Sequence, residues 1–408
     1  MFSRLEIGPI LRAMTRNKVG AILIAIQIAV TMTIIVNAIF IINERSELMG
    51  RASGVDEANS FYLTSTGFAT DFNAKTVVQE DLNTIRQTPG VKDAVQINAI
   101  PISGGGWSMS LQVEPGEGKD DQSAAIYMVD EHGLEALDVE LLAGDNFLPT
   151  DVRWREPSDS KWASTAIITQ ALAEALFPDI PFQQVVGKTI YISEVQPILV
   201  KGVIDKLQAP WVGWSSLEQA MLAPELMNFT STRYYIRTEP GMRDKLMPQI
   251  EDTLASGNKD RIIRNMNSVE ETRERSYRQH SAMIKILTTV MVILTIVTGL
   301  GIVGLASFSV SRRKKQIGTR RALGASQTDI VRYFLIENFM ITSVGVLLGA
   351  AMTVGLNIIL VNNFEMDTID WTYIPVGMIV LWLVGLFAAF GPAKKAASIA
   401  PAIATRTV

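Results

Sequence analysis

Four apolar runs fix most of what this 408-residue chain can become. Val19 to Ile42, Ile286 to Val310, Phe339 to Val361 and Tyr373 to Phe390 are long and uncharged enough to cross a hydrocarbon core, which needs about 20 helical residues. Lipid offers the backbone no hydrogen-bond partner, so such runs must be helices. The first run exceeds the roughly 7 to 15 residues of a leader's apolar core and lacks an A-x-A cleavage site, so it is expected to stay as an anchor. The mean hydropathy is only +0.22 because much of the remaining mass is one polar insert, Asn43 to Met283.

Charge orients the spans. Arg4, Arg12, Arg16 and Lys18 precede the first, and Lys394, Lys395 and Arg406 follow the fourth. Between the second and third lies the link Ser311 to Glu337, with Arg312, Arg313, Lys314, Lys315, Arg320 and Arg321. The loop Asn362 to Thr372 carries Glu365, Asp367 and Asp370 and no Lys or Arg. Positive charge is retained on the cytoplasmic side, so residues 1–18, 311–337 and 391–408 are expected inside, and the insert and the 362–372 loop outside. The fold class that follows is a membrane protein of four transmembrane α-helices with a large α+β extracytoplasmic domain between the first and second.

That insert, about 240 residues, is large enough for one or two domains with their own hydrophobic cores. No cysteine is present, so neither disulfides nor a thiolate metal site can support it. The first helix is expected to run past the membrane and break near Gly50 and Gly54. At the other end Ser268 and Glu271 form a capping-box pattern, with Glu271 to Arg275 and Glu274 to Arg278 at helical i,i+4 spacing. That helix is expected to run straight into the second span, giving two stalks. Between them, periodicity predicts a helix over 74–88 ended by Pro89-Gly90, then a strand over 91–100. Further strands are expected at 165–168, 189–192, 198–204, 234–237 and 261–266, with helices at 170–176 and near 241–254.

Motifs of chemistry are sparse. Gly187-Lys188-Thr189 has the ending of a phosphate loop, but Phe182 stands where the first glycine must be, so a turn before a strand is the better reading. His132 and His280 are isolated from other residues at metal-ligand spacing and read as surface histidines. No serine stands in a G-x-S-x-G context. Trp154, Trp162, Trp211 and Trp214 complete a core or grip a partner, and Ser103 to Trp107 reads as a flexible glycine-rich loop. Within the spans Gln27, Asn37 and Asn357 favour interhelical hydrogen bonds over a substrate path. Gly345 and Gly349 form a G-x-x-x-G face, and Gly299, Gly301 and Gly304 thin the second span, both devices for close helix packing. No span carries a charge at its centre, which counts against an ion-coupled pump, and the net charge of −4 gives no hint of nucleic-acid binding.

The link remains. Ile317, Leu323 and Ile330 alternate with basic residues, and Gly318, Ala322, Gly324 and Ala325 leave one face smooth enough to dock in a groove. The run KKQIGTRRALGA resembles the signature of the MacB/FtsX-type ABC-transporter permeases at Ile317, Gly318, Arg321, Ala322, Gly324 and Ala325, and departs from it at Gln316, where a glutamate is usual. LRAMTRNKVGAIL before the first span resembles the family's amphipathic cytoplasmic helix, and Pro392 and Pro401 its closing pattern, with Thr405 in place of leucine. TIRQTPGVKDAV, LDVELLAGDNF, AIITQALAEALFP and VVGKTI resemble a MacB-type periplasmic core domain.

The resemblance implies a porter-like part over 55–102 and 228–267, with a β-rich subdomain inserted over 103–227. It implies that Gln316, Ile317, Gly318, Arg320, Arg321, Ala322, Leu323, Gly324 and Ala325 form a coupling helix on an ABC ATPase, whose subunits bind ATP and magnesium, while this chain holds no cofactor and is not itself an enzyme. It further implies a bacterial inner-membrane permease working as a dimer, with a like or different permease, in contact with membrane lipids and a periplasmic membrane-fusion adaptor. Such a permease would pass force to its outer domain for export or extraction of a peptide, lipopeptide, lipoprotein or antibiotic. A regulator of an external hydrolase or sensor, FtsX-like, is the alternative; the size of the insert favours export.

Overall fold

The computed structural model describes residues 18–364 and 368–400. The amphipathic helix expected before the first span, Glu365 and Asp367 of the acidic loop, and the residues from Pro401 onward, with Thr405 and Arg406, lie outside the described residues. The chain divides into two compact units, residues 50–279 and the remainder on either side of them.

Among the described residues, the unit made from the two chain ends contains four helices long and apolar enough to cross a membrane: α1 (Lys18–Gly50) here, and three that follow the insert. At 1.5 Å per residue, the 33 residues of α1 extend about 50 Å, well beyond about 30 Å of hydrocarbon. Hence α1 continues past Ile42 to Gly50, as expected for a stalk.

In the unit 50–279, β1 (Ser60–Gly67), α2 (Ala74–Arg86) and β2 (Val91–Gln96) come first. Then follow β3 (Trp107–Gln112), β4 (Asp121–Val129), α3 (Gly133–Leu137), β5 (Leu141–Gly144), β6 (Arg153–Arg155), β7 (Thr165–Thr169), α4 (Gln170–Leu176), β8 (Thr189–Ile192), β9 (Gln196–Ile204) and β10 (Ala220–Met227). The unit closes with β11 (Ser231–Thr238), α5 (Arg243–Gly257), β12 (Arg261–Ser268) and α6 (Val269–Ser276).

An antiparallel sheet of order β12-β1-β11-β2 joins the two ends of this unit. Strand alternation divides its residues: Phe61, Leu63, Tyr234 and Ile236 pack with Val78, Leu82 and Ile85 of α2 and Leu246, Ile250 and Leu254 of α5, while Tyr62 and Tyr235 turn to the opposite core. The strands between 107 and 227 form a second sheet, β4-β3-β8-β9-β7-β10, and a parallel pairing of β10 with β4 closes it into a six-stranded ring. Closure leaves none of those six strands with a free edge for unwanted pairing. Ala124, Ile126 and Met128 face one core and Ala125, Tyr127 and Val129 the other, so β4 is buried on both sides.

β2 stops at Gln96 rather than at Ile100, and beyond it the Asn98 side chain bonds β4 of the other sheet: its Nδ2 donates to the Ile126 carbonyl and its Oδ1 accepts from Met128 N–H, each at 2.8 Å. Ser268 caps α6 as expected, its Oγ accepting from Glu271 N–H at 3.0 Å, and Glu271 pairs with Arg275 at 3.1 Å. The helix does not run straight on, however. It ends at Ser276, and the next, α7 (Arg278–Arg312), starts after a break at Tyr277, whose ring is buried with the Arg273 guanidinium 5.2 Å from its centre.

α7 leads to the short α8 (Lys314–Ala322), then α9 (Gln327–Phe364) and α10 (Tyr373–Ala397). α1 is the centre of this bundle: Ile24, Ile28, Met32, Val36 and Phe40 pack with Ile302 of α7, Ile341 and Val346 of α9, and Leu381 and Ala389 of α10. α10 passes through Pro392, where the fourth span was expected to end, and continues to Ala397; Ala393, Ala396 and Ala397 are buried, which offsets the hydrogen bond that proline cannot donate.

Candidate coupling site

Small residues set how closely the bundle helices approach. A methyl group on Gly345 would lie 2.7 Å from the Ala25 carbonyl oxygen and 2.8 Å from Ile28 Cβ, and one on Gly349 2.8 Å from Met32 Cβ, so the G-x-x-x-G face of α9 lies directly on α1. The second span differs from expectation. Around Gly299 and Gly304 nothing among the described residues comes within 4 Å of a Cβ, and the close approach is at Gly301, against the Gln27 side chain. Gln27 Nε2 donates to the Val297 carbonyl at 3.2 Å, and the Thr31 and Thr298 hydroxyls share a bond of 2.8 Å. Asn357 Oδ1 accepts from Ile369 N–H at 3.1 Å. Asn37 Nδ2 donates to Thr33 O of its own helix at 2.8 Å, not to a neighbouring helix.

At one end of this bundle α8 lies against the first turns of α9. Arg313, the single residue between α7 and α8, reaches Glu337 Oε2 with its Nη1 at 2.8 Å. One turn on, Ile317 is buried with Ile330 and Phe334 of α9 and with Ala393, Ala396 and Ala397 of α10. A further turn on, the Arg320 guanidinium sits 4.8 Å from the centre of the Tyr333 ring, within cation–π range. Gly324, at φ +97, makes the left-handed turn that ends the helix, and Arg321 Nη1 donates to the Ala325 carbonyl at 3.0 Å. Ser326 and Asp329 then cap α9 reciprocally: Asp329 N–H donates to Ser326 Oγ at 3.2 Å and Ser326 N–H to Asp329 Oδ2 at 2.9 Å.

These contacts sort the expected docking residues into two sets. Ile317 and Gly318 are buried in the chain's own core, and Arg321 and Ala325 are half-buried in the turn. Gln316, Arg320, Ala322, Leu323 and Gly324 face outward, together with Lys314 and Lys315. Leu323 is 76 % exposed at the helix end, an apolar side chain two residues after Arg321. The sequence reading missed Glu337, Tyr333 and the Ser326–Asp329 cap. Glu337 carried a signal that was available: it is the one acidic residue between Asp329 and Glu365.

The remaining candidates resolve into structure. Gly187 N–H donates to the Val200 carbonyl at 2.8 Å in the turn before β8. Trp162 is buried beneath the Arg155 guanidinium at 4.2 Å, and Trp211 and Trp214 meet edge to face at 5.4 Å over the core. Trp154 packs beside the helices of the first sheet. The Ser103–Gly106 segment is not loose: Gly104 N–H donates to the Pro210 carbonyl at 2.7 Å, and Pro210 occupies the space a side chain at Gly106 would need. His132 Nδ1 lies 2.8 Å from Asp93 Oδ2, and that bond raises its pKa above the ordinary value. Burial raises the Asp130 carboxyl beside it, against the pull of Arg86. His280 Nδ1 is 3.4 Å from Arg45. No cluster of metal-binding side chains occurs among the described residues.

Residues 19–253 match the family described as MacB-like periplasmic core domain, and residues 288–401 that described as FtsX-like permease C-terminal. The macrolide export ATP-binding/permease protein MacB 1 of Yersinia pestis is 24 % identical over 96 % of this chain and 58 % of its own length. MacB of Acinetobacter baylyi is 33 % identical over 37 % of this chain and 23 % of its own. The chain thus spans 58 % of the Yersinia relative. Among solved structures, the periplasmic region of MacB from Actinobacillus actinomycetemcomitans aligns with 57 % of this chain and 98 % of its own, at 16 % identity and a TM-score of 0.34. The extracellular domain of YknZ aligns with 50 % of this chain and all of its own, at 17 % identity and 0.32. With a MacB-like core domain matched over more than half its length and an FtsX-like domain behind it, the chain belongs to the MacB/FtsX-type ABC transporter permease family.

Proposed function

We propose that this permease turns ATP binding and hydrolysis by a separate ATPase subunit into motion of its extracytoplasmic domain, with α8 as the receiving surface on the cytoplasmic side. The observation that carries this is the division within α8: one face is fastened to α9 and α10, and the other presents Gln316, Arg320 and Leu323. A helix held this way can take a load without peeling from the bundle. The relatives' names join ATP-binding to permease, which supports an ABC ATPase that binds ATP and magnesium as the source of the force.

Both termini lie inside, the domain between α1 and α7 lies in the periplasm of a bacterial inner membrane, and two permeases stand on two ATPases. Export or extraction of a peptide, lipopeptide, lipoprotein or antibiotic fits the two-part outer domain, which is also the surface for a membrane-fusion adaptor. Gln316, where the family carries glutamate, favours pairing with a second, different permease. Native mass spectrometry of the solubilised complex tests that pairing: a single permease mass removes it. For α8, charge reversal at Arg320 and Arg321 is expected to abolish capture of the cognate ATPase and its stimulation; undiminished capture and stimulation would refute the role.

A further inference from the structure

We propose that the Arg313–Glu337 ion pair is the joint that makes α8 and the third span move as one body, leaving the break at Arg313 as the hinge to the second span. The pair rests on the reading of α8 as the surface that receives the ATPase, and adds to it the route by which a push leaves that surface.

Arg313 and two residues of α8 meet α9: Arg313 with Glu337, Ile317 with Phe334 and Ile330, and Arg320 with Tyr333. The capped turn at Ser326 closes the other end, so the two helices form a braced hairpin. α8 joins α7 differently. The chain passes through Arg313 alone, at φ −106 and ψ 13, and its N–H is shared between the Ser309 and Val310 carbonyls at 3.2 Å each. Beside the ion pair, between Ala21, Leu305 and Ser309 on one side and Phe334, Asn338 and Ile341 of α9 on the other, lies a cavity of about 40 Å³, room enough for water. The ion pair thus borders space shared by α1, α7 and α9, and the hinge rests on the change of backbone at Arg313.

Electrostatics make the pair an all-or-none fastening. Arg313 and Glu337 side chains are 18 % and 10 % exposed, so separating them strands two poorly solvated charges, whereas exchanging them keeps both partnered. A load on α8 is thus passed to α9, and α7, which leads to the outer domain, swings about the Arg313 break.

The absence of native cysteine permits a direct test in the full-length chain. In nanodiscs, spin labels on cysteines placed at Lys315 and Arg332 report α8 against α9, and labels at Lys315 and Ser307 report α8 against α7; each is measured alone and with the cognate ATPase, with and without ATP. A narrow α8–α9 distribution unmoved by ATP, and an α7–α8 distribution that shifts with it, are expected. Arg313→Ala and Glu337→Gln should each broaden the α8–α9 distribution and remove the shift while the ATPase still binds, and Arg313→Glu with Glu337→Arg should restore both. An α8–α9 distribution that stays narrow in both single variants, or as broad in the exchanged variant as in the singles, overturns the joint. If the substitutions behave as expected but no distance responds to ATP, the joint stands and the ATPase reading falls.

Discussion

Leu323→Ala separates docking from folding. Complete burial of a leucine side chain is worth about 1.5–3 kcal/mol, and Leu323 keeps 76 % of its surface free, so a partner that covers it gains about 1–2 kcal/mol. Truncation to alanine is expected to weaken ATPase binding about 5- to 30-fold, since each 1.4 kcal/mol is a factor of ten. Ile317→Ala provides the contrast: Ile317 is 4 % exposed within the core shared by α8, α9 and α10, so its truncation leaves a cavity and costs about 2–5 kcal/mol of stability. Affinity is measured by biolayer interferometry on nanodisc-held permease at fixed salt, and stability by the melting midpoint of each variant. Equal affinity for Leu323→Ala and the parent chain, or a melting loss as large as that of Ile317→Ala, would refute the assignment of Leu323 to the outward face.

In the bundle, Gly349→Leu is expected to force α9 off α1 and cost about 1–3 kcal/mol, while Gly304→Ala leaves the melting midpoint unchanged because its surroundings are open. Glu225 is fully buried between Arg153 Nε at 2.8 Å and Arg155 Nε at 3.3 Å, so Glu225→Ala strands the buried Arg155 cation and should cost about 3–5 kcal/mol, read as faster proteolysis of the outer domain. For His132 the folded pKa is raised above 6.5, first by the Asp93 bond, so its stabilising contribution is complete below about pH 6.5 and fades as pH rises through the raised value. His132→Gln is accordingly expected to lower the melting midpoint at pH 6 and to leave it unchanged at pH 9; the opposite order would contradict the sign.

What could be read from sequence follows from how locally each feature is encoded. The spans are written in their own composition, and the strand at 189–192 and the helix at 170–176 occur at the residues their patterns indicated. The Gly345–Gly349 face was readable because both glycines lie on one side of one helix. Which glycine of the second span meets a neighbour was not, since Gly299, Gly301 and Gly304 point in different directions and only the tertiary packing selects Gly301. The apolar residues of α8 posed the same difficulty: periodicity marks Ile317 and Leu323 as apolar without saying that the first turns into its own bundle and the second outward. The break at Tyr277 has no glycine or proline to announce it, and ring closure through β4 and β10 joins residues about a hundred positions apart that no local pattern pairs.

In the proposed mechanism ATP turnover below the membrane moves the outer ends of α1 and α7. Spin labels on cysteines at Glu47 and Met283, both exposed near those ends, measure this in the full-length chain with its cognate ATPase in nanodiscs. A distance change on adding ATP is expected, and it disappears with Arg320→Glu and Arg321→Glu. Identical distance distributions with and without ATP, while the bound ATPase hydrolyses it, would refute this mechanism.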